Sequence, residues 1–388
     1  MDQMNTPLVQ SVISHLEKEI AEGNLVQGEP VPTERSLVKE LGVSRGVVRL
    51  AIQILGEKGV LSRMDGCRPV VQKGGAKADN TPKDHISVWL WPRSNHFFAS
   101  QILRGIQTSM GSSNLKIVVG HARGSSWREV VESEAALLQN LIDDDRCAGA
   151  IVWYVGGTEN LSLLRKVGAS GVPIVFVDRL PDNVLFGDYV GTDNFGAASA
   201  AVNHLIELGH QRIACITNLD HASSVRERIE GWRDALSRAG LPCGDDLIFT
   251  PDDSASELSE ESYVGQQFER LFRQPERPTA AFCINDTLAV VMMDLLHTSG
   301  RTAPDDLSIM GFDGLMTTMP SSGGLSSAVQ NFERLGQTAV RLLMDRIANP
   351  HRPSRHILLD APLHLNGSTS QLFQRSVKAP YGAVAVKQ

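Results

Sequence analysis

Two arginines one helical turn apart, Arg45 and Arg49, have the spacing and type to contact nucleic acid. Residues at positions i and i+4 share one face of a helix. A guanidinium group binds guanine O6 and N7 bidentately, or binds a phosphate. Arg35 begins the preceding predicted helix, where phosphates commonly lie. An isolated Arg-x-x-x-Arg pair is more often a solvated basic face, so the interpretation depends on the elements around it.

Capping residues and apolar spacing predict three helices in the first 60 residues. Thr33 and Ser44 are the predicted N-caps of the second and third helices, and Gly42 makes the tight turn between them. The third helix is predicted to run to about Lys58. The first helix is predicted from apolar residues that recur on one face. These residues are Val9, Val12, Ile13, Leu16 and Ile20.

A hairpin is predicted after the helices, because Asp65-Gly66 separates two β-prone runs. A helix, a helix–turn–helix and a hairpin in this order predict a winged helix over residues 1–72. In that setting, DNA contact by Arg45 and Arg49 becomes the favoured interpretation. Residues 73–84 show no apolar periodicity and are predicted to form a linker.

The remainder of the chain alternates short β runs with helical runs. This alternation predicts parallel sheets covered by helices on both faces. Over the length of residues 85–370, two such lobes are more plausible than one, and residues 371–388 form a tail without a clear pattern. The predicted strands cover residues 86–90, 115–119, 149–155, 173–178, 212–217, 279–284 and 307–312.

Residues directly after the predicted strands are the candidate ligand contacts. Open α/β sheets bind ligands at the carboxyl ends of their strands, which in a two-lobed domain face a cleft. Carboxylates and amides pair with hydroxyls, and aromatic rings pack on the C–H face of a sugar, so a polyhydroxylated ligand fits. Equally, Asp and Asn at strand ends can cap the next helix. The candidates are Arg93, Ser94, His96, Phe97, Phe98, Asp178, Arg179, Asn285, Asp286 and Asp313.

Bulk charge does not predict a nucleic-acid binder. The net charge is −7. Residues 1–75 contain nine Lys/Arg and nine Asp/Glu, and the remaining residues contain 28 and 35, which accounts for the whole net charge. DNA binding therefore has to come from a local arrangement of arginines.

Several function classes are disfavoured by what the sequence lacks. No run of about 18 apolar residues occurs, and the first residues do not read as a secretory signal. Five dispersed cysteines without a CxxC pair argue against a disulfide framework or a zinc site. We therefore expect a cytoplasmic protein without metal or cofactor. Phosphate-loop, zinc-protease, nucleophile-elbow and dinucleotide-binding motifs are missing, so we do not expect an enzyme.

The first 72 residues resemble a known family of DNA-binding domains. Residues 28–35 (GEPVPTER), 41–45 (LGVSR) and 48–49 (VR) are similar to the GntR-family winged helix. The resemblance implies binding to double-stranded operator DNA. Gly46 and Val47 stand where Thr or Pro is frequent, and Asp65 at the wing tip would repel phosphate, which weakens the expected wing contact. The DNA-binding residues taken from this resemblance are Arg35, Ser44, Arg45, Gly46, Val47, Arg49 and Gly66.

The rest of the chain resembles a second family. Six segments are similar to the LacI-type, periplasmic-binding-protein-like effector domain: residues 102–106, 190–194, 204–214, 226–232, 285–286 and 305–313. The resemblance implies a first lobe of about 85–190 and 332–360, and a second lobe of about 191–331 and 361–370. The effector contacts that it implies are Asp178, Arg228, Asn285, Asp313 and Gln330, with an aromatic ring at Phe97 or Phe98 packed on the ligand.

Trp89 and Trp91 depart from this second family, which usually has smaller residues in the first strand. Either these indoles fill the core, which we favour, or one of them reshapes the pocket. His210 follows a predicted helix, and we expect it to have a structural role.

Together the two resemblances imply a ligand-controlled transcription regulator. The favoured form is a homodimeric repressor that a sugar releases from a pseudo-palindromic operator, because arabinose-responsive repressors share this chimeric build. A corepressor such as a purine remains an alternative effector of opposite sign. A solute-binding protein for transport is a weaker alternative, since it would not carry a winged helix.

Overall fold

The computed structural model of the chain describes residues 7–57, 60–62, 68–72, 82–90, 96–111, 113–122, 126–184, 186–218, 222–251, 260–315 and 324–372. The predicted turn of the wing, most of the predicted linker and the tail beyond residue 372 lie outside these ranges. Within the described part of the chain, no helix has the length and apolar character needed to cross a bilayer.

The first domain has the predicted order of elements. It contains helices α1 (Pro7–Ala21), α2 (Glu34–Leu41) and α3 (Arg45–Glu57), and the antiparallel strands β1 (Leu61–Ser62) and β2 (Val70–Val71). All five apolar positions predicted for the first helix are buried. They share one cluster with Leu37 of α2 and with Val48, Ala51 and Leu55 of α3.

The caps of α2 and α3 form as the sequence predicts. The Thr33 hydroxyl accepts a hydrogen bond from the backbone N–H of Ser36 at 3.1 Å, and the Ser44 hydroxyl accepts one from Val47 at 3.4 Å. Gly42 ends α2 with a φ of 65°, in the left-handed region that glycine adopts without steric cost. These caps set the turn that separates the two helices, and so place the start of α3 beside the start of α2.

The chain divides into two compact units. The first comprises Met1–Asp193, His221–Arg226 and Asn331–Asp360, and the second comprises Asn194–Asp220, Glu227–Gln330 and Ala361–Gln388. The first unit therefore contains the winged helix together with a first α/β lobe. The second unit contains a second α/β lobe.

The first lobe is built on a six-stranded parallel sheet of order β13-β7-β6-β5-β3-β4. Its helices form two pairs that pack together, α4 with α11 and α5 with α6. The strands are β3 (His85–Trp89), β4 (Lys116–Val119), β5 (Cys147–Val152), β6 (Ile174–Val177), β7 (Asp188–Thr192) and β13 (His356–Leu359). The helices are α4 (His96–Ser109), α5 (Trp127–Asp143), α6 (Leu161–Ser170) and α11 (Phe332–Ala348).

The second lobe is built on a six-stranded sheet of order β14-β12-β11-β10-β8-β9. All its pairings are parallel except that of β14, which is antiparallel to β12. The strands are β8 (Ile213–Ile216), β9 (Ile248–Phe249), β10 (Ala280–Cys283), β11 (Ser308–Asp313), β12 (Ser326–Val329) and β14 (Leu363–His364). The helices are α7 (Asn194–Glu207), α8 (Ser223–Arg238), α9 (Glu260–Phe272) and α10 (Asp286–Thr298).

Trp89 and His210, which were discussed above from the sequence, are both buried. Trp89 is 1% exposed and packs in the apolar cluster of the first lobe, as favoured, whereas Trp91 lies outside the described residues. His210 is buried, and its ring nitrogens lie 2.9 Å from the hydroxyl of Thr279 and 3.1 Å from the carbonyl oxygen of Ser370. These contacts agree with a structural role for His210.

Helices α4 and α11 cross in close contact because each carries a glycine at the crossing. A Cβ atom on Gly105 would overlap the carbonyl oxygen of Glu333, and one on Gly336 would overlap that of Ile102. Both overlaps are with backbone atoms, so no flexible side chain can move aside to relieve them. The crossing therefore tolerates only glycine at both positions.

A buried carboxylate holds the segment after β5. Glu134 of α5 is fully buried and accepts hydrogen bonds from the backbone N–H groups of Val155 and Gly156, at 2.7 and 2.8 Å. Asn160, which precedes α6, donates its side-chain amide to the same carboxylate at 2.9 Å. Burial raises the pKa of Glu134 to about 7, and these hydrogen bonds offset only part of the effect.

We expect Gly105→Ala and Gly336→Ala to lower the free energy of unfolding by about 1–3 kcal/mol each, because the added methyl group forces the two helices apart. Gly265→Ala is the matched control, since Gly265 also lies within a helix but a Cβ there meets nothing within 4 Å. The control should be neutral or stabilising. Urea denaturation of the three variants tests this, and equal effects would disprove the close crossing.

We expect the Glu134 carboxyl group to make stability depend on pH. A carboxyl whose pKa is raised by folding stabilises the protein below its unfolded pKa and loses that contribution as pH rises through the folded value. The stability difference between wild type and Glu134→Gln should therefore fall by up to about 3 kcal/mol between pH 4.5 and 7. Glu132→Gln, an exposed neighbour on α5, should show no such slope in urea denaturation followed by tryptophan fluorescence. A flat difference for Glu134→Gln would contradict the assignment.

Candidate functional site

The candidate DNA-reading face is a concave surface of the winged helix. Its charged lining consists of the arginines Arg35, Arg45, Arg49 and Arg68 and, among the described residues, one carboxylate, Glu34. The surface is therefore locally basic although the whole chain carries a net charge of −7. Of the predicted residues, it brings together Arg35, Arg45 and Arg49.

Glu34 links the two recognition arginines. Its carboxylate lies 2.6 Å from Nε of Arg45 and 3.0 Å from Nε of Arg49. Hydrogen bonds from Arg45 and then Arg49 hold the pKa of Glu34 below its usual value. These bonds use the Nε atoms and not the Nη donors, which are the ones that reach furthest from the helix. This role of Glu34 was not predicted from the sequence. The sequence did contain a signal for it. Glu34 is the first residue of α2, and the turn at Gly42 brings the start of α3, with Arg45, beside it.

The remaining predicted residues of this face differ in accessibility. Ser44 and Gly46 are exposed at the start of α3, whereas Val47 is half-buried and packs against the core of the domain. Gly66 lies outside the described residues. Arg68, which is not among the predicted DNA contacts, lines the same surface as Arg45 and Arg49.

The candidate effector site of the second lobe is centred on Arg228 of α8. This side chain is 6% exposed, and its guanidinium carbon lies 3.8 Å from the centre of the Phe312 ring. It donates from Nε to the side chain of Asn194 at 2.9 Å, and from Nη1 to Asp313 at 3.1 Å. Nη1 also donates to the carbonyl oxygen of Ile284 at 2.7 Å. A buried cation needs such partners, because desolvation without them costs several kcal/mol.

Asp313 and Gln330 complete this group, which we call the Arg228 cluster: Arg228, Asp313 and Gln330. Gln330 donates its side-chain amide to Asp313 at 2.7 Å, and its backbone N–H to the Asp313 carbonyl at 3.2 Å. Three of the effector contacts implied by the sequence therefore meet at the carboxyl ends of β11 and β12. They come from positions up to 102 residues apart, as the numbering shows.

Asn285 behaves differently from the other predicted contacts. Its side-chain oxygen accepts a hydrogen bond from the backbone N–H of Leu288 at 2.8 Å and caps α10. The alternative that a polar residue after a strand caps the next helix is thus realised at this position. Asp178 and Asp313 are not such caps.

Both aspartates that follow buried strands have a left-handed backbone. Asp178 has a φ of 66° and Asp313 a φ of 112°. Such conformations cost about 1–3 kcal/mol in residues other than glycine, and they cluster at functional sites. Each carboxylate is buried, at 4% and 8% exposure, and this pairing of strain with a buried charge distinguishes both positions from ordinary strand ends.

A second set of residues, which the sequence analysis missed, holds Asp313 in place. Asp286 is fully buried and accepts hydrogen bonds from the Ser327 hydroxyl at 2.7 Å and from the Leu315 backbone N–H at 2.6 Å. The Ser327 hydroxyl in turn accepts a hydrogen bond from the backbone N–H of Gly314 at 3.2 Å. The turn after Asp313 is therefore anchored at two consecutive residues. Asp286 was a candidate ligand contact at a strand end, but its carboxylate is bonded to the turn and to β12.

The first lobe contributes Asp178 and an aromatic pair. Asp178 follows β6, and its carboxylate lies 3.7 Å from Nε of Arg179. Phe97 is 48% exposed, whereas Phe98 is buried and stacks on Phe332 with ring centres 4.4 Å apart. Of the two predicted rings, Phe97 is thus the accessible one. His96 begins α4, and Arg93 and Ser94 lie outside the described residues.

Comparison with known proteins assigns both parts of the chain. Residues 8–71 match the family of bacterial regulatory proteins named gntR, and residues 202–369 match the periplasmic binding protein-like domain. The HTH-type transcriptional repressor PurR of Aliivibrio salmonicida is 33% identical over 184 residues, which are 47% of this chain and 53% of PurR. This chain thus spans about half the length of that relative.

Two further similarities extend over more of the chain. The HTH-type transcriptional repressor CytR of Escherichia coli K12 is 27% identical over 275 residues, 71% of this chain and 76% of CytR. The crystal structure of a LacI family transcriptional regulator from Enterococcus faecium, with bound ribose, superposes with a TM-score of 0.61. It is 25% identical and covers 75% of this chain and 100% of that protein. The chain is thus a DNA-binding transcriptional regulator of chimeric build, in which a winged helix of the gntR family precedes a periplasmic binding protein-like domain.

Proposed function

We propose that this regulator is a cytoplasmic, non-enzymatic repressor whose operator affinity is controlled by a sugar. The observation that carries the proposal is the Arg228 cluster: a buried cation, a buried carboxylate and an amide that converge at strand ends. Arginine and carboxylate together donate to and accept from neighbouring hydroxyls, which is what a polyhydroxylated ligand offers. The ribose bound by the Enterococcus faecium regulator supports a sugar as the ligand class.

In this proposal each predicted residue has a defined task. Arg228, Asp313 and Gln330 bind the sugar hydroxyls in the second lobe, with Asn285 at the edge of the group. Asp178 contributes a carboxylate from the first lobe, and Phe97 rather than Phe98 packs on the C–H face of the sugar. Asn194 and Asp286 position Arg228 and Asp313, respectively, and touch no ligand.

The proposed reading of DNA rests on the concave surface of the winged helix. Arg45 and Arg49 contact base edges in the major groove, and Arg35 and Arg68 contact phosphates. Ser44 and Gly46 approach the backbone of the DNA, and Glu34 holds the two reading arginines in one geometry. A homodimer presents two such surfaces to a pseudo-palindromic operator, since dimer symmetry matches operator symmetry.

The effect of the ligand on operator binding has two competing forms. A sugar that weakens operator binding by a coupling of about 1–3 kcal/mol would relieve repression roughly 5–150-fold. A purine or another corepressor would act in the opposite direction. Operator binding with and without the ligand separates the two forms.

We expect a thermal-shift screen against sugars, sugar acids, sugar phosphates, nucleobases and amino acids to give a selective rise with one sugar. A ligand at 100 times its Kd stabilises by about 2.7 kcal/mol, which is roughly 2–4 °C for a domain of this size. Gln330→Ala should abolish the rise, because it removes a contact but leaves the Arg228–Asp313 pair in place. Asp305→Asn, an exposed change in the same lobe, should leave it intact. A rise with a nucleobase alone would overturn the sugar proposal.

We expect Arg45→Ala to abolish specific DNA binding while leaving the ligand-induced thermal shift unchanged, because the arginine belongs to the reading surface alone. Fluorescence anisotropy at fixed salt, with a duplex that the wild-type protein selects from a random pool, measures the effect. Arg128→Ala removes an exposed arginine from the first lobe and should retain wild-type affinity. Unchanged affinity of Arg45→Ala would refute the assigned reading face.

A further inference from the structure

The loop between α1 and α2 lies against the first lobe. Gly23 has a φ of 77°, and a Cβ there would lie 3.2 Å from backbone atoms of Arg165 and Lys166 in α6. Such a distance to backbone requires the two segments to be in direct contact. At the C-terminal end of α6, a Cβ on its C-cap Gly171 would lie 3.1 Å from the side-chain oxygen of Gln27. The loop therefore touches α6 at two places.

Val26, in the middle of this loop, belongs to the core of the lobe and not to that of the winged helix. It is 3% exposed and joins the apolar cluster that contains Val167 and Phe186. Its neighbour Leu25 is buried in the separate cluster of the winged helix. Two consecutive apolar residues thus anchor the loop in two different cores. Burial of an apolar side chain is favourable, so the buried Val26 stabilises the contact between the loop and the lobe.

The same loop is bonded to the wing. Gly28 donates its backbone N–H to the carbonyl oxygen of Val71 at 2.9 Å, and Val71 donates to the carbonyl oxygen of Glu29 at 3.0 Å. A gap beside the loop is lined from the wing by Ser62 and Gln72 and from the lobe by Arg346 and Arg352. A shift of the loop therefore carries the wing and the reading surface with it.

Helix α6 also connects this contact to the candidate effector edge of the first lobe. Asn160, just before α6, is held by Glu134 and by the carbonyl oxygen of Val131. The strand that follows α6 is β6, and Asp178 comes directly after it. A helix of 10 residues is a rigid rod of about 15 Å. Asn160, just before its first residue, is bonded to the buried Glu134, and its middle and its C-cap, Gly171, contact the loop of the winged helix.

We propose that the segment Gly23–Gln27 is a docking element that seats the winged helix on α6, and that α6 transmits displacements at its Asn160 end to the reading surface. The regulatory meaning of this contact rests on the proposed function. Its existence does not, because docking is a property of the chain without DNA or effector.

The test of docking is a distance measurement between nitroxide labels at Ser14 on α1 and Glu132 on α5, both exposed. Cys67 and Cys243 are replaced by serine, and unlabelled protein is added in excess so that each assembly carries one labelled chain. We expect one narrow distance distribution for the parent. Val26→Glu and Gly23→Ala should broaden it at least twofold, because each disrupts the contact with α6.

Two matched controls isolate the contact from other effects. Gly28→Ala places the same methyl group at a φ of 86° but meets nothing within 4 Å, so it carries the backbone cost of Gly23→Ala without the clash. Leu8→Glu adds a carboxylate at a position of the winged helix that is 56% exposed. Both should leave the distribution narrow. A broad parental distribution, or equal broadening by Gly23→Ala and Gly28→Ala, would overturn the docking proposal.

A separate variant tests transmission along α6. Asn160→Ala removes the bonds at the far end of α6, and we expect it to shift or broaden the same distribution although it lies outside the contact. Asn140→Ala, an exposed change on α5, should have no effect. An unchanged distribution in Asn160→Ala would refute transmission through α6. Because neither DNA nor sugar is present, these outcomes are independent of the thermal-shift and anisotropy results.

Discussion

The buried charge of Arg228 is the constraint on which the second lobe depends. A guanidinium group that is 6% exposed requires several acceptors. Asn194, the Ile284 carbonyl and Asp313 provide them, from three separate segments of the chain. Because these acceptors are held in one place, the polar atoms at the strand ends are ordered before a ligand arrives. Such preorganisation reduces the ordering cost of binding.

The same requirement explains why the backbone at Asp313 is strained. A left-handed aspartate is unfavourable by itself, so the surroundings must impose the conformation. Asp286 and Ser327 do so by anchoring Gly314 and Leu315. Asp286 and Ser327 thus act as scaffolding, because they bond to each other and to the backbone of the turn after Asp313.

The winged helix concentrates positive charge on one surface. The chain has a net charge of −7, but one concave surface of the winged helix brings four arginines together. Glu34 reduces their mutual repulsion and binds Arg45 and Arg49 together. Like charges in proximity would otherwise spread apart, so one carboxylate makes the arrangement compact. In the proposed mode of DNA binding, this local arrangement rather than the bulk charge provides the attraction to DNA.

Local patterns in the sequence predicted the order of elements in the winged helix, the caps at Thr33 and Ser44, and seven strands of the two lobes, because these depend on local periodicity and local hydrogen bonds. The sequence did not predict β7, because its first residue, Asp188, is charged and does not fit the apolar pattern of a buried strand. That carboxylate is fully buried only because Arg346 and Arg352, more than 150 residues away, neutralise it. Likewise the sequence proposed Arg228, Asp313 and Gln330 one by one, but only the tertiary structure brought them together. Long-range pairing of charges and strands has no local signature, and so only the folded chain decides it.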